Sequence, residues 1–248
     1  KIVKAGNEVI GTGKMSEPGF LRCDARVTIG GVVYRGIATA AYQPEYIKPT
    51  QTLPEDFWSF WEKAIADARK VPLDPVLTLL PDRCTEKTNV YELNFQNHQS
   101  GSRIYGILSM PRKHGKYPAL LQVPGAGIRP YPGLTALADS GLITLQIGIH
   151  GISVTATPAL YGNPGQGGMK DYYYVNLDDR DRYYYNRVYL GCIRAVDYLC
   201  SLPEYDGSNL AVWGGSQGGA LSIITAALDK RGMAVAAQYP ALWDLTGY

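Results

Sequence analysis

From Glu55 to Lys70 the apolar residues Phe57, Phe60, Trp61, Ala64, Ile65 and Ala68 return at helical intervals, with polar residues between them. That spacing predicts an amphipathic helix, stopped by Val71-Pro72. Upstream the pattern changes. From about Glu8 to Tyr46 the chain reads as β. Val27-Thr28-Ile29 and Val32-Val33-Tyr34 flank Gly30-Gly31, a two-residue hairpin signal, and Ile37 to Tyr42 continues in the same manner. Three or four such strands cannot close a sandwich alone. They read as the end of a small β domain whose start is missing. The prolines of Gln43-Pro44 and of the stretch from Lys48 to Pro54 mark a linker.

Downstream, short apolar runs predict strands over Asn89–Phe95, Arg103–Met110, Ala119–Val123 and Ile143–Ile149. Tyr131 to Leu142 can hold a short helix. A long loop is expected around Gly162, Gly165, Gly167 and Gly168, then a helix from about Asp181 to Leu202 and a turn at Pro203–Gly207. The run Leu210–Trp213, a helix ending near Leu228 and a strand from Met233 to Tyr239 complete the order. Two antiparallel-type strands followed by alternating strands and helices is the order of an α/β-hydrolase sheet.

The decisive motif lies where the Leu210–Trp213 run meets its helix. Gly214-Gly215-Ser216-Gln217-Gly218-Gly219 contains Gly-x-Ser-x-Gly between a strand and small helical residues. This is a nucleophile elbow: a turn so tight that the neighbours of the serine must be small. Ser216 is therefore the candidate acyl-transfer nucleophile. The backbone N–H of Gln217 is one candidate oxyanion donor. The second is the N–H of Ala126, in Pro124-Gly125-Ala126-Gly127 after the Ala119–Val123 strand. There Gly125 allows close approach of a substrate oxygen.

A base is harder to find. His98, His114 and His150 all precede Ser216, whereas triads on this fold run Ser, acid, His. His150 ends a strand on the side where sites form and is expected to line the site, not to act as base. His98 and His114 read as solvated loop histidines. Asp244 follows the last strand and is a minor candidate for the acid. The acid and histidine are expected beyond Tyr248, so the fragment alone is expected to be inactive, with an uncovered sheet edge. The run Asp178–Arg182 reads as the first turn of the following helix, where acids meet the helix dipole. Tyr172, Tyr173 and Tyr174 are candidates for stacking on sugar rings.

Composition narrows the class. At 248 residues the chain can hold one α/β domain plus a small appendage. A formal charge of +2 is too mild for a nucleic-acid binder. No apolar stretch approaches the ~20 residues of a membrane span. Cys23, Cys84, Cys192 and Cys200 show no metal or redox spacing and read as free, buried thiols. Neither a metal nor an organic cofactor is expected.

Four stretches together resemble the acetyl xylan esterase and cephalosporin-C deacetylase family: Arg182–Tyr189, Arg194–Asp197, Gly214–Gly219 and Tyr239–Asp244. The resemblance runs from about Pro54 onward and is closest to the Bacteroides-type branch with an N-terminal β-sandwich module. It implies a partial Ig-like module over 1–46, a linker over 47–54, and an α/β-hydrolase domain over 55–248 without its last strands. It also implies a serine esterase removing acetyl groups from xylan or similar sugars, located in the periplasm or secreted. Pro124-Gly125-Ala126 stands where the family usually has His-Gly-Tyr, and His150-Gly151-Ile152 where it has Arg-Gly-Gln. Both border the site, which leaves sugar preference and homo-oligomer assembly open. Two other readings remain: a prolyl-oligopeptidase-type peptidase, and a carbohydrate-binding relative that has lost its triad.

Overall fold

A computed structural model describes residues 2–5 and 8–242. The chain divides into two units, Lys1–Thr52 and Leu53–Trp243. In the first, β1 (Ile2–Ala5) pairs antiparallel with β2 (Glu8–Gly11), and β3 (Gly19–Ile29) with β4 (Val32–Tyr42). Gly30 and Gly31 both take positive φ, as a two-residue hairpin turn requires. The β3–β4 ribbon covers no core of its own: Phe20, Ile29 and Val33 are each more than 60% exposed. Cys23 is exposed for the same reason, which corrects the expectation of four buried thiols. Cys192 alone is fully enclosed, and Cys84 and Cys200 are half-buried.

The second unit begins with α1 (Phe57–Arg69), which buries Ile65 and Ala68 as its spacing predicts. A seven-stranded sheet follows. Its members are β5 (Val76–Leu79), β6 (Thr88–Gln96), β7 (Arg103–Pro111), β8 (Tyr117–Gln122), β9 (Ile143–Gly148), β10 (Tyr205–Gly215) and β11 (Ala234–Gln238). The order is β11-β10-β8-β9-β7-β6-β5. β5, β6, β7 and β9 pair antiparallel in turn, while β9, β8, β10 and β11 run parallel. Side-chain alternation divides the strands between two faces. Leu93, Phe95, Ile104 and Leu108 join the main core, whereas Val90 and Ile107 point to a smaller one with Tyr131 and Val154. β9 sends Ile143, Leu145 and Ile147 into the main core.

The helices between strands are α2 (Thr135–Asp139), α3 (Pro158–Gln166), α4 (Tyr184–Ser201) and α5 (Gln217–Leu228). α4 brings Tyr185, Val188, Cys192 and Val196 into the main core, and α5 adds Leu221. α3 replaces part of the expected glycine-rich loop. Pro158 opens it, a position where a missing N–H costs nothing. Tyr161 anchors it, buried and donating to the carbonyl of Ser153 at 2.9 Å.

The run Asp178–Arg182 also differs from expectation. It precedes α4 and does not form its first turn. Asp179 accepts from the N–H groups of Asp181 and Arg182 and so closes a turn. Arg180 pairs with Asp56 at 2.6 Å and lies over the Phe60 ring. β10 starts earlier than expected, at Tyr205. Asp206 caps an irregularity there by accepting from Ser208 and Asn209. Among the described residues, no helix is long and apolar enough to cross a membrane.

Candidate active site

The register of the sheet creates the site. Leu210 pairs with Ala119 and Trp213 with Gln122, and Val123 N–H donates to Trp213 O at 2.9 Å. β8 and β10 therefore end side by side. The chain leaving β8 is the 124–127 loop; the chain leaving β10 is Ser216 and α5. Both lie at the C-terminal edge of parallel strands, where open α/β sheets form their sites.

Ser216 sits between β10 and α5 with φ 57° and ψ −122°. A non-glycine residue there is strained by about 1–3 kcal/mol. Its surroundings hold it in place. Ser216 N–H donates to Gln238 O at 3.0 Å, and its carbonyl accepts from Gly219, Ala220 and Ala241. The flanking glycines are required by space. A Cβ on Gly214 would stand 2.5 Å from Gly218 O, and one on Gly218 would stand 2.5 Å from Val123 O. Ser216 itself is exposed.

The residue after it does more than the motif suggests. Gln217 is the first residue of α5, so its N–H has no intrahelical acceptor and is free for an oxyanion. Its side chain is buried. Oε1 accepts from the hydroxyls of Tyr172 and Tyr185, each at 2.5 Å, and Nε2 donates to Pro124 O at 3.2 Å. Tyr172 is 5% exposed. It is thus a buried partner of Gln217, which removes it from the expected sugar-stacking set. Tyr173 and Tyr174 remain at the surface.

His150 follows β9 and is bonded to the 124–127 loop at Gly127. A carbonyl can only accept, so Nε2 carries the proton and donates to Gly127 O at 3.3 Å. Nδ1 then accepts from Tyr184 OH at 2.7 Å. Burial pushes the His150 imidazole down to about 4, the Gly127 bond opposes this, and Arg187 and Arg129 add to it. With both nitrogens engaged, His150 is not poised as the base of Ser216. The Arg129 guanidinium also adjoins the loop, 3.3 Å from where a Gly125 Cβ would lie. Gln146 donates to Gln122 and accepts from Gly133 N–H, which ties the segment after the loop to β8 and β9.

Of the other histidines, His114 is exposed. His98 is not the solvated residue expected. It is half-buried in a cleft with Ala64, Ala68 and Leu190, and its Nδ1 is enclosed without a partner among the described residues. Asp244 lies outside the described residues. Sequence reasoning passed over Tyr239. Its ring reaches within 3.4 Å of the Gly215 Cβ position, and it is 79% exposed with φ 33°. In the sequence it closes the last strand and opens the Tyr239–Asp244 stretch of the family resemblance, but neither signal gives it a place at the site.

An elbow serine, a facing glycine loop and this sheet order together define an α/β-hydrolase. The acetyl xylan esterase (AXE1) family model matches residues 42–246. The chain belongs to the acetyl xylan esterase family. It is 41% identical over 99% of its length to the acetyl esterase Axe7A of Xylanibacter ruminicola, of which it spans 56%. The acetyl xylan esterase from Paenibacillus sp. R4 superposes with a TM-score of 0.66 at 34% identity, covering 79% of this chain and 62% of that one. Acetyl xylan esterase 1 from Thermoanaerobacterium sp. JW/SL YS485 gives 0.68 at 26%, covering 80% and 62%. The chain thus spans less than two thirds of each of these family members.

Proposed function

We propose that the protein containing this chain is a serine esterase that removes O-acetyl groups from xylan, xylo-oligosaccharides or similarly acetylated sugars. The observation that carries the reading is the strained Ser216, exposed at the start of α5 beside the 124–127 loop. Family membership, and relatives that bear the names acetyl esterase and acetyl xylan esterase, support the acetyl group.

Ser216 Oγ attacks the acetyl carbonyl carbon while its proton passes to a histidine held by an acid. The reading puts both outside the described residues. The carbonyl oxygen becomes an oxyanion held by the N–H groups of Gln217 and Ala126. The tetrahedral intermediate collapses, the C–O bond to the sugar breaks, and the histidine returns its proton to the sugar oxygen. Water then attacks the acetyl-serine with the histidine as base, releasing acetate. Exposed Tyr173, Tyr174 and Tyr239 supply ring faces on which sugars can stack. The same reading takes 1–46 as part of a β-sandwich module, a periplasmic or secreted location, and a homo-oligomer.

The test uses the full-length protein with acetylated xylo-oligosaccharides, an Xaa-Pro amide and a fluorophosphonate probe. Release of acetate, labelling of Ser216 and loss of both in Ser216→Ala are expected. Cleavage of the amide instead would assign a peptidase. An inert, unlabelled protein would leave a binding relative.

A further inference from the structure

The 124–127 loop carries the proposed second oxyanion donor and is tied at both ends. At one end Gln217 Nε2 donates to Pro124 O; at the other His150 Nε2 donates to Gly127 O. Only Gly125 and Ala126 lie between these anchors. Each tie has one orientation. Turning the Gln217 amide over would set its oxygen against the Pro124 carbonyl, two acceptors face to face. The Tyr172 and Tyr185 hydroxyls secure the correct orientation by donating to Oε1. The Tyr184 hydroxyl does the same for His150 by donating to Nδ1, and Tyr172 packs edge-on against the imidazole at 4.7 Å.

We infer that the side chains of Gln217 and His150 are positioning residues that hold the Ala126 N–H in register with the Gln217 N–H. The inference rests on the esterase reading above. Gln217 then acts twice: its backbone donates to the oxyanion, and its side chain places the other donor. The consequence follows from the geometry of an oxyanion hole. Donors act only within about 2.7–3.1 Å of the developing charge, and losing one costs about 10²–10³ in kcat. A loop slackened at one end loses part of that factor. Ground-state binding of the sugar is not touched.

The experiment measures kcat and KM of the full-length protein on an acetylated xylo-oligosaccharide, and its affinity for a trifluoromethyl ketone, which forms a tetrahedral oxyanion on the serine. Gln217→Leu and His150→Leu are expected to lower kcat about 10–100-fold, a fraction of the loss of a whole donor. KM should stay within about threefold, and ketone affinity should fall in step with kcat/KM. His150→Gln keeps an N–H donor and is expected to recover most of the activity. If Gln217→Leu fails to fold, Tyr172→Phe and Tyr185→Phe remove one hydroxyl each and are expected to give the same kcat-selective loss in smaller measure. Folded variants with kcat within twofold of wild type, or a lowered Tm without the kcat-against-KM split, overturn the inference. A wild-type protein that neither labels with fluorophosphonate nor releases acetate overturns the esterase reading instead.

Discussion

Two polar networks sit at opposite ends of α5, about 18 Å apart at 1.5 Å per residue. At its start Tyr172 and Tyr185 donate to Gln217 and Tyr184 donates to His150, with no formal charge among these five, although Arg187 and Arg129 act on His150 from outside. Just past its end Asp229 is gripped by Arg231 and Arg69, and Asp197 by Arg69, Arg194 and Arg231. Asp229 would oppose the helix dipole if left alone. Burial pushes its carboxyl up, but hydrogen bonds from Arg231 more than offset this and hold it below the usual range. The ionic network binds α1, α4 and α5 to one another and touches no reacting atom. The neutral one ties the carbonyls of Pro124 and Gly127, which on the esterase reading orients backbone donors where charge is to develop. Neutral ties can fix a peptide group without adding a competing field, whereas charged ties suit a place that needs only strength.

Predictions that separate the two ends begin with Gly218→Ala. Its Cβ would stand 2.5 Å from Val123 O, so either the elbow or the β8 end must move. Overpacking of this kind costs about 1–3 kcal/mol or more. Displacing an oxyanion donor costs about 10²–10³ in kcat by the usual measure, so esterase assays should show a loss of roughly a hundredfold to a thousandfold. Next, Asp229→Asn at the other end should lower stability by about 1–2 kcal/mol in urea titrations, since the carboxylate is buried but its arginine partners are partly exposed and screened. It should leave kcat and KM unchanged. A fall in kcat would mean that the ends of α5 are coupled.

The pH dependence distinguishes them further. His150 titrates near 4 when folded and near 6.5 when unfolded. In that window the unfolded chain binds more protons, so stability falls as pH drops from about 6.5 to 4, by up to about 3 kcal/mol. His98, also held down by burial, adds in the same direction. The lowered Asp229 contributes stability that is lost only as pH falls below the ordinary carboxylate range. Urea midpoints at pH 7, 5.5 and 4.5 should therefore decline before the ionic network is affected, and His150→Gln should flatten that decline. The smallest effect is expected from Glu62→Gln. Its pair with Lys230 is well exposed on both sides, and thermal melts should not change measurably.

The elbow was legible because its constraint is local: a strand, two small flanks and a helix within a dozen residues. α1 and the inner strands were legible through period. β5 was missed because its four residues lie between Pro75 and Pro81 on an exposed edge. α3 was missed because glycine and proline weigh against a helix that a single buried tyrosine secures. At the site, Ser216 and Gln217 came from spacing, but the partners of the Gln217 side chain stand 32, 45 and 93 positions away. Nothing in a linear pattern pairs a glutamine with two tyrosines and a distant carbonyl. His150 was expected near the site from its strand end. Its bond to Gly127 could not be read, since the acceptor is backbone and carries no residue signature.

The backbone of Ser216 has one last consequence, in the competition between activity and robustness. A residue held at φ 57° keeps the whole domain slightly less stable than it could be. Ser216→Ala deletes the hydroxyl and retains the strain. Ser216→Gly deletes the hydroxyl and relieves the strain, against the entropy a glycine adds to the unfolded chain. The glycine variant should therefore melt higher than the alanine variant. That gap in Tm would measure, in two variants without the hydroxyl, the stability that the chain forgoes to hold residue 216 in this conformation.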